Sequence, residues 1–381
     1  MIKLGELFCG PGGFAEGAKK AGGFKHVWAN DIHPDSCKTF KKHHPDCEVI
    51  EGDVFKDFIN NKMRKLNKNI DGLLFGFPCN DFSIVGKKKG LTGEYGPLYK
   101  AASKVLNYFQ PKFFVAENVT AIVGKNEVFN NFTKIMRDFA NCSNKGYKIF
   151  ADKYKFEEYG IPQTRHRLIL VGYRGDFFEK NNIQLNKPQK ASIQVTCKTA
   201  LEDGVPDTKQ SKKSLLKSKN QEFTKHSKEV LLRLENTKEG QNVWQIDDKF
   251  GLPNVKSARM SHIYKKLDRN KPAYTVTGSG GGGTHVYHYN HNRALTNRER
   301  ARLQTFDDSF DFLGNKESVR RQIGMAVPVL AAKKILLEVK KSMKKRKKRI
   351  NIHHDIMIEP FGKKLNLTGE VGLDNQPEFN F

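Results

Sequence analysis

The sequence predicts an α/β fold: a doubly wound, mostly parallel sheet covered on both faces by helices. Three observations predict it. Short apolar runs alternate with amphipathic stretches over residues 1–175; a glycine-rich turn, ELFCGPGGFAEG, follows the first run; and several runs end in acidic or polar residues, which a parallel sheet would bring to one edge.

Strands are expected at 2–8, 26–31, 47–53, 72–78, 112–119, near 147–154 and at 167–173, with helices at 14–21, 34–42, 98–109 and 127–139 between them. Residues 178–290 break this alternation. They hold lysine-rich polar segments such as DTKQSKKSLLKSKN (207–220), one helix candidate (HSKEVLLRLEN, 226–236), and the glycine-rich KPAYTVTGSGGGGTHVYHYNHNR (271–293). The chain closes with the basic run KKSMKKRKKR (340–349), a phosphate-gripping helix end or an electrostatic arm. INIHHDIMIEPF (350–361) then offers an added strand or a docking segment.

Composition excludes several classes. No apolar run approaches the roughly 18 residues of a membrane span, and the N-terminus has no basic region followed by a cleavable apolar stretch. A cytoplasmic location is expected, with no membrane partner. The six cysteines, Cys9, Cys37, Cys47, Cys79, Cys142 and Cys197, form no CxxC pair, which favours free thiols and no metal. Lysine and arginine number 67 against 41 acidic residues, a formal charge of +26. Such an excess repels itself in a compact state and is relieved by a polyanion such as nucleic acid, although a lysine-rich proteome produces a basic surface without any partner.

The chemistry gathers at strand ends. Small residues after the first strand let backbone approach a ligand, and the next helix offers unpaired N–H groups. The second strand ends at Asp31, able to accept from ribose hydroxyls, and the third at Asp53, able to meet an adenine amino group. For either acid alone the helix-cap reading is slightly the stronger; three such ends in register make an adenosine pocket the better account. Cys79 follows Pro78 at the exit of the fourth strand, in GFPCNDFSIVGKKKG (76–90), and Glu117-Asn118 leaves the fifth strand on the same edge. A thiol and a carboxylate therefore face one site.

These residues resemble the DNA (cytosine-5)-methyltransferases of bacterial restriction-modification type. ELFCGPGGF is similar to their glycine-rich signature, FPCNDFS to their proline-cysteine nucleophile, Glu117-Asn118-Val119 to their Glu-Asn-Val triplet, and Gln163-Thr164-Arg165-His166-Arg167 to their Gln-x-Arg-x-Arg element. RALTNRERARLQTFDDSFDFLG (293–314) and RQIGMAVPVLAAK (321–333) resemble the last two signatures. The likeness covers residues 1–177 and 270–340, in family order.

The resemblance implies a Rossmann-like catalytic domain (1–177 with 318–340) binding S-adenosylmethionine (SAM), a smaller target-recognition domain (178–317), and a basic tail (341–381). It implies double-stranded DNA as substrate, a separate restriction endonuclease as possible companion, and association with the nucleoid. Cys79 would add to C6 of a flipped-out cytosine, activating C5 toward the SAM methyl. Glu117, kept partly neutral by desolvation, would serve N3; Arg167 would hold O2; Arg165 would support the loop and site. Phe8, Gly10, Gly12 and Gly13 would surround SAM with Asp31, Ile32, Asp53, Val54, Pro78 and Leu98. Ser83 and Lys87, Lys88 and Lys89 would touch DNA from a glycine-punctuated lid over 80–96, with Thr275, Thr277 and Arg293 reaching it from the recognition region. The run 280–283 is either a linker or a place where backbone meets DNA.

Three positions depart from the family pattern: Asn80 for a glutamine, Tyr95 where a loop arginine is common, and Met325 for the asparagine of Gly-Asn-Ala-Val. Met325 removes amide donors from near the cofactor. A tRNA cytosine C5-methyltransferase and a catalytically impaired DNA-binding homologue are the competing readings. Amino-group methyltransferases lose ground because no Asp/Asn-Pro-Pro-aromatic tetrapeptide occurs.

Overall fold

The computed structural model describes residues 1–77, 98–120, 127–245, 263–278, 280, 282–345, 354–360 and 365–366. Strands β1 (Ile2–Leu7), β2 (Phe24–Asp31), β3 (Glu48–Glu51), β4 (Gly72–Phe75) and β5 (Phe113–Val119) are parallel neighbours in the order β3-β2-β1-β4-β5. They are joined by α1 (Gly13–Ala21), α2 (Pro34–His43), a π-type helix over Val54–Lys62, and α3 (Tyr99–Phe109), with α4 (Glu127–Ala140) after β5.

Beyond β5 the sheet turns antiparallel. β6 (Tyr147–Lys155) and β8 (His166–Arg174) follow in the order β5-β8-β6, with the two-residue β7 (Gln163–Thr164) standing outside the sheet. The direction of β8 matters for the site. Because it runs against β5, its first residues lie beside the last residues of β5, and Arg167 pairs with Val119.

Alternation along each strand feeds two cores, as a doubly wound sheet requires. Phe113 and Val115 face one side with Leu4, Leu74, Ile169 and Val171; Phe114 and Ala116 face the other with Leu73, Phe75, Leu168 and Leu170. α1 and the C-terminal helix α10 (Val329–Ser342) cover the first face, and they pack closely enough that a Cβ on Gly17 would run into Ala332. That core continues into Leu201, Val276, Leu303, Phe306 and Phe312. α3 and α4 cover the second face.

The interval after β8 contains α5 (Gly175–Asn181), α6 (Lys212–Lys217), α7 (Lys228–Asn236) and β9 (Ala273–Tyr274), followed by α8 (Asn297–Leu303) and α9 (Lys316–Met325). β10 (Ile356–Ile358) realises the strand that the sequence offered at 350–361: it extends the sheet beside β6, and β11 (Leu365–Asn366) pairs with it. A polar knot fixes β10 in place. Asp152 binds His354 Nδ1 at 2.8 Å and the Asp355 N–H at 2.9 Å, with Lys187 at 3.1 Å from both carboxylates. Among the described residues no helix is long and apolar enough to cross a membrane.

Candidate functional site

The parallel strands deliver their carboxyl ends to one edge in register. Leu7 pairs with Asn30 and with Phe75, and Phe75 with Ala116, so Phe8, Asp31, Gly76 and Glu117 each stand one residue beyond. Phe8 leaves β1 with φ 55°, and Gly10 and Gly12 have φ of 54° and 102°. This left-handed path, which favours glycine, lets the Gly10 N–H reach the Asp31 carboxylate at 2.8 Å. A Cβ added to Gly10 would meet nothing within 4 Å, so the turn opens onto space at this point.

Asp31 therefore does more than terminate a strand. Its second oxygen accepts the His33 N–H at 2.9 Å. Burial raises its proton affinity, partly opposed by these two N–H groups and by the positive charges of His33 and Arg321. Asp53 takes the capping alternative: its Oδ1 accepts from the N–H groups of Phe55 and Lys56 at 2.9 and 2.8 Å. Around these acids Ile32 is 58 % exposed and Val54 is buried. Phe8 and Leu98 are partly buried against one apolar cluster. The α1 N-terminus, begun by Gly12 with no side-chain cap, presents its first N–H groups beside the turn. Open space at Gly10, helix N–H groups, an acid and an exposed apolar side chain are the parts that an adenosine-bearing ligand with a carboxylate requires.

Glu117 and the arginines meet at the exits of β4 and β5. Glu117 Oε1 accepts from Arg167 Nε at 2.7 Å, and Arg165 Nη2 stands 4.0 Å from the same oxygen. Its other oxygen, Oε2, lies 3.6 Å from where a Cβ on Gly76 would stand, directed at the chain leaving β4. Asn118 secures that exit by donating to the Phe77 carbonyl at 3.2 Å. Arg165 acts as a bracket, its Nη1 donating to the carbonyls of Val276 and Gly324 at 3.3 and 3.2 Å.

Pro78, Cys79, Ser83, Lys87, Lys88 and Lys89, and with them the expected lid, lie outside the described residues. The five other cysteines are free, buried thiols. Burial pushes Cys37, Cys47, Cys142 and Cys197 up to about 12, and raises Cys9 well above the ordinary thiol value. None of these five is poised as a thiolate. Among the described residues there is no group of three metal-ligating side chains.

The recognition-region residues divide. β7 pairs in parallel with β9, and the Thr275 hydroxyl donates to the Thr164 carbonyl at 2.8 Å, which sets Thr275 and Thr277 beside the Arg165 bracket. Arg293 is engaged otherwise: Glu299 holds its guanidinium with two bonds of 2.7 and 2.8 Å, and it lies over the Phe223 ring. Gly278 and Gly280 pack against α9, where a Cβ on Gly324 would strike the Gly278 backbone. At those two residues, glycine serves close packing within the protein. Met325, the departure from the family pattern, is 60 % exposed at the end of α9 beside Gly278, and fills no core position.

Two features escape sequence reasoning. Gln163 is a buried knot, donating to the Leu303 carbonyl and Gln304 Oε1 and accepting the Val276 N–H at 2.8 Å. Arg298, Arg300 and Arg302 are all buried. The only signal for Gln163 is its place in the Gln-x-Arg-x-Arg element, and for the alternate arginines their place in the signature-like segment 293–314; neither reports burial.

A family model described as C-5 cytosine-specific DNA methylase matches residues 2–341. The chain is 46 % identical over 357 residues to the type II methyltransferase M.BbvI of Brevibacillus brevis, covering 90 % of this chain and 91 % of the relative. It is 36 % identical over 357 residues to the type II methyltransferase M.NgoFVII of Neisseria gonorrhoeae, with coverage of 94 % and 91 %. An Escherichia coli crystal structure described as a prophage-encoded DNA modification methyltransferase superposes with a TM-score of 0.67 at 24 % identity, covering 90 % of this chain and 99 % of that one. The Entamoeba histolytica methyltransferase EhMeth gives 0.60 at 16 %, with coverage of 91 % and 99 %. These last two likenesses concern the fold.

Proposed function

Because the chain belongs to the C-5 cytosine-specific DNA methylases and is a DNA (cytosine-5)-methyltransferase, we propose that it methylates a cytosine flipped out of a specific duplex sequence, using SAM and a transient Cys79–C6 bond, as the modification half of a type II restriction-modification system. The observation that carries this reading is the Glu117–Arg167 pair at the exit of β4, two residues before the Pro78-Cys79 dipeptide begins.

SAM supplies an electrophilic methyl group when bound. Gly10, Gly12 and the α1 N-terminus would hold its methionine end, Asp31 its ribose, and Phe8, Ile32 and Leu98 its adenine, with Asp53 and Val54 beside it. Cytosine C5 is a weak nucleophile on its own. Cys79 thiolate adds to C6, and the electron pair displaced from the C5–C6 bond moves toward N3, where Glu117 meets it. Arg167 orients Glu117 through Nε, donates from Nη1 to the His166 carbonyl, and would offer Nη2 to O2 of the base. C5, so activated, would take the methyl of bound SAM as the sulfonium S–CH3 bond breaks and S-adenosylhomocysteine leaves; loss of the C5 proton to a base would then let the Cys79 thiolate depart as the C5–C6 double bond returns. Burial of the five other cysteines, which disfavours their thiolates, supports Cys79 as the nucleophile.

Residues 178–317 read as the target-recognition region, working in the cytoplasm on chromosomal DNA beside a separate endonuclease. The test is base-resolution sequencing of 5-methylcytosine on unmethylated plasmid treated with purified protein and SAM. Methylation at one short sequence context, absent with Cys79→Ala, is expected. Methylation of tRNA alone, or none on either substrate, overturns the DNA reading.

A further inference from the structure

Helix α8 buries three arginines in one turn and a half, but only two of them are compensated. Arg302 forms an ion pair with Asp308 at 2.7 Å and donates to the carbonyls of Ala200 and Leu201. Arg298 donates to the carbonyls of Lys219, Asp307 and Phe310. Arg300, 1 % exposed, has both terminal nitrogens buried without a hydrogen-bond partner among the described residues. A buried guanidinium with idle donors is costly, and it calls for a physical explanation.

Its neighbourhood deepens the imbalance. Arg320 of α9 faces Arg300, and its Nε is also buried without a partner among the described residues. The side chain of Arg320 is 13 % exposed and runs along Gly280, its Nε 2.9 Å from where a Cβ would stand. His285 lies beside both arginines, and its ring centroid is 6.0 Å from that of His226. Burial first, then Arg300, Arg320, His226 and Lys316, lower the His285 ring to about 4. The nearby acids do not balance this charge. Glu299 is committed to Arg293 and to the Thr296 N–H; Glu317 stands 4.0 Å from Arg320 Nη2 on an exposed side chain; Glu222 acts on Lys316.

We propose that Arg320, with Arg300 behind it and Gly280 beside it, binds a backbone phosphodiester of the DNA substrate. The proposal rests on the DNA methyltransferase reading and adds to it a phosphate contact. Arg320 is the contact residue, since its side chain keeps 13 % of its surface exposed and a guanidinium matches a phosphate's acceptors. Arg300 lies one layer deeper and is a positioning residue: its charge, in a region shielded from water, raises the potential at Arg320. The absence of a side chain at Gly280 gives Arg320 its room. Position gives the contact its use. α9 carries Arg320 and, one turn on, Gly324, whose carbonyl accepts from the same Arg165 nitrogen as the Val276 carbonyl, and Arg165 stands 4.0 Å from Glu117. A phosphate held by Arg320 is thereby registered against the base-binding site.

The test is equilibrium binding of duplex DNA across a salt series for the full chain and its variants. Arg320→Gln is expected to weaken binding and to reduce the slope of log K against log salt by about 0.9, the value for one phosphate contact. Arg320→Lys is expected to restore most of the slope. Arg300→Met is expected to weaken DNA binding several-fold while SAM binding is unchanged and thermal stability is equal or higher, because it removes an uncompensated buried charge. An Arg320→Gln slope identical to that of the parent overturns the proposal. So does an Arg300→Met protein that is less stable yet binds DNA with parental affinity. Should Arg300→Met fail to fold, the Arg320 series decides alone. If the parent protein neither methylates DNA nor binds it in a salt-dependent way, the underlying functional reading fails instead.

Discussion

The edge formed by β1, β2 and β3 and the face formed by α8 and α9 bury opposite charges, and they spend their hydrogen bonds differently. At the strand ends Asp31 and Asp53 are held by backbone N–H groups, so the acids shape the turn and the following helix before any ligand arrives. On α8 and α9, by contrast, Arg298 and Arg302 are saturated by carbonyls and a carboxylate, whereas among the described residues Arg300 and Arg320 keep idle donors. An acidic rim beside uncapped helix N–H groups suits a nucleoside with a carboxylate; an over-positive face suits a polyanion. The Glu117–Arg167 pair, at the exits of β4 and β5, is the part that the proposed mechanism gives to the reacting base. Substitutions on the two sides should therefore separate cofactor affinity from DNA affinity.

The largest effect is expected at the junction. Glu117→Gln keeps the size of the side chain but removes its acid, and should slow methyl transfer about 10²–10⁴-fold in single-turnover assays while leaving both affinities within a few-fold. An unchanged rate would assign N3 to another group. Next comes the contrast within α8. Arg302→Met abandons Asp308 in the interior and should cost about 3–5 kcal/mol by denaturant unfolding, against no loss for Arg300→Met; equal losses would erase the distinction between the two arginines. On the acidic side, Asp31→Ala should weaken SAM binding by about 10–100-fold, as expected for loss of a charged hydrogen-bonding group. Calorimetry should find DNA affinity unmoved, and a matching loss of DNA affinity would show that the two sides are not separable.

Much of this arrangement is legible in the sequence. The strands expected at 2–8, 112–119 and 167–173 appear at Ile2–Leu7, Phe113–Val119 and His166–Arg174, because each is an apolar run bounded by turn residues. The helices at 34–42 and 98–109 appear at Pro34–His43 and Tyr99–Phe109, where amphipathic spacing and Pro34 mark them. The polar detail is less legible. Asp53 as acid and Asp53 as cap have the same sequence, and only the N–H groups of Phe55 and Lys56 distinguish them. The burial of Arg298 and Arg302 in RERARL is not written locally: their acceptors, Lys219 for the first and Ala200 and Leu201 for the second, lie 79 to 102 residues away along the chain. No local pattern reports such acceptors. The commitment of Arg293 to Glu299 is visible only in hindsight, as part of the capping box from Thr296 to Glu299.

The smallest effect expected is on pH dependence, and it probes the support beneath the glycine turn. His26 is buried next to Glu6 at 2.8 Å, and burial lowers its ring to about 3. The unfolded chain takes up that proton near pH 6.5, so the folded state is stabilised fully above that value and loses stability as pH falls toward 3. His26→Gln should flatten the decline in unfolding free energy between those limits; an unaltered slope would show that other groups govern it.

Covalent trapping tests the central claim most directly. Duplex DNA made with 5-fluorocytosine at every cytosine blocks the final loss from C5, so an enzyme working through a C6 adduct should remain attached after adding its methyl. With SAM present, mass spectrometry of the digested complex should find the nucleotide on the peptide containing Cys79, and nothing trapped with Cys79→Ala. An adduct on another residue, or active methylation of ordinary DNA with no trapped complex, would contradict catalysis by Cys79.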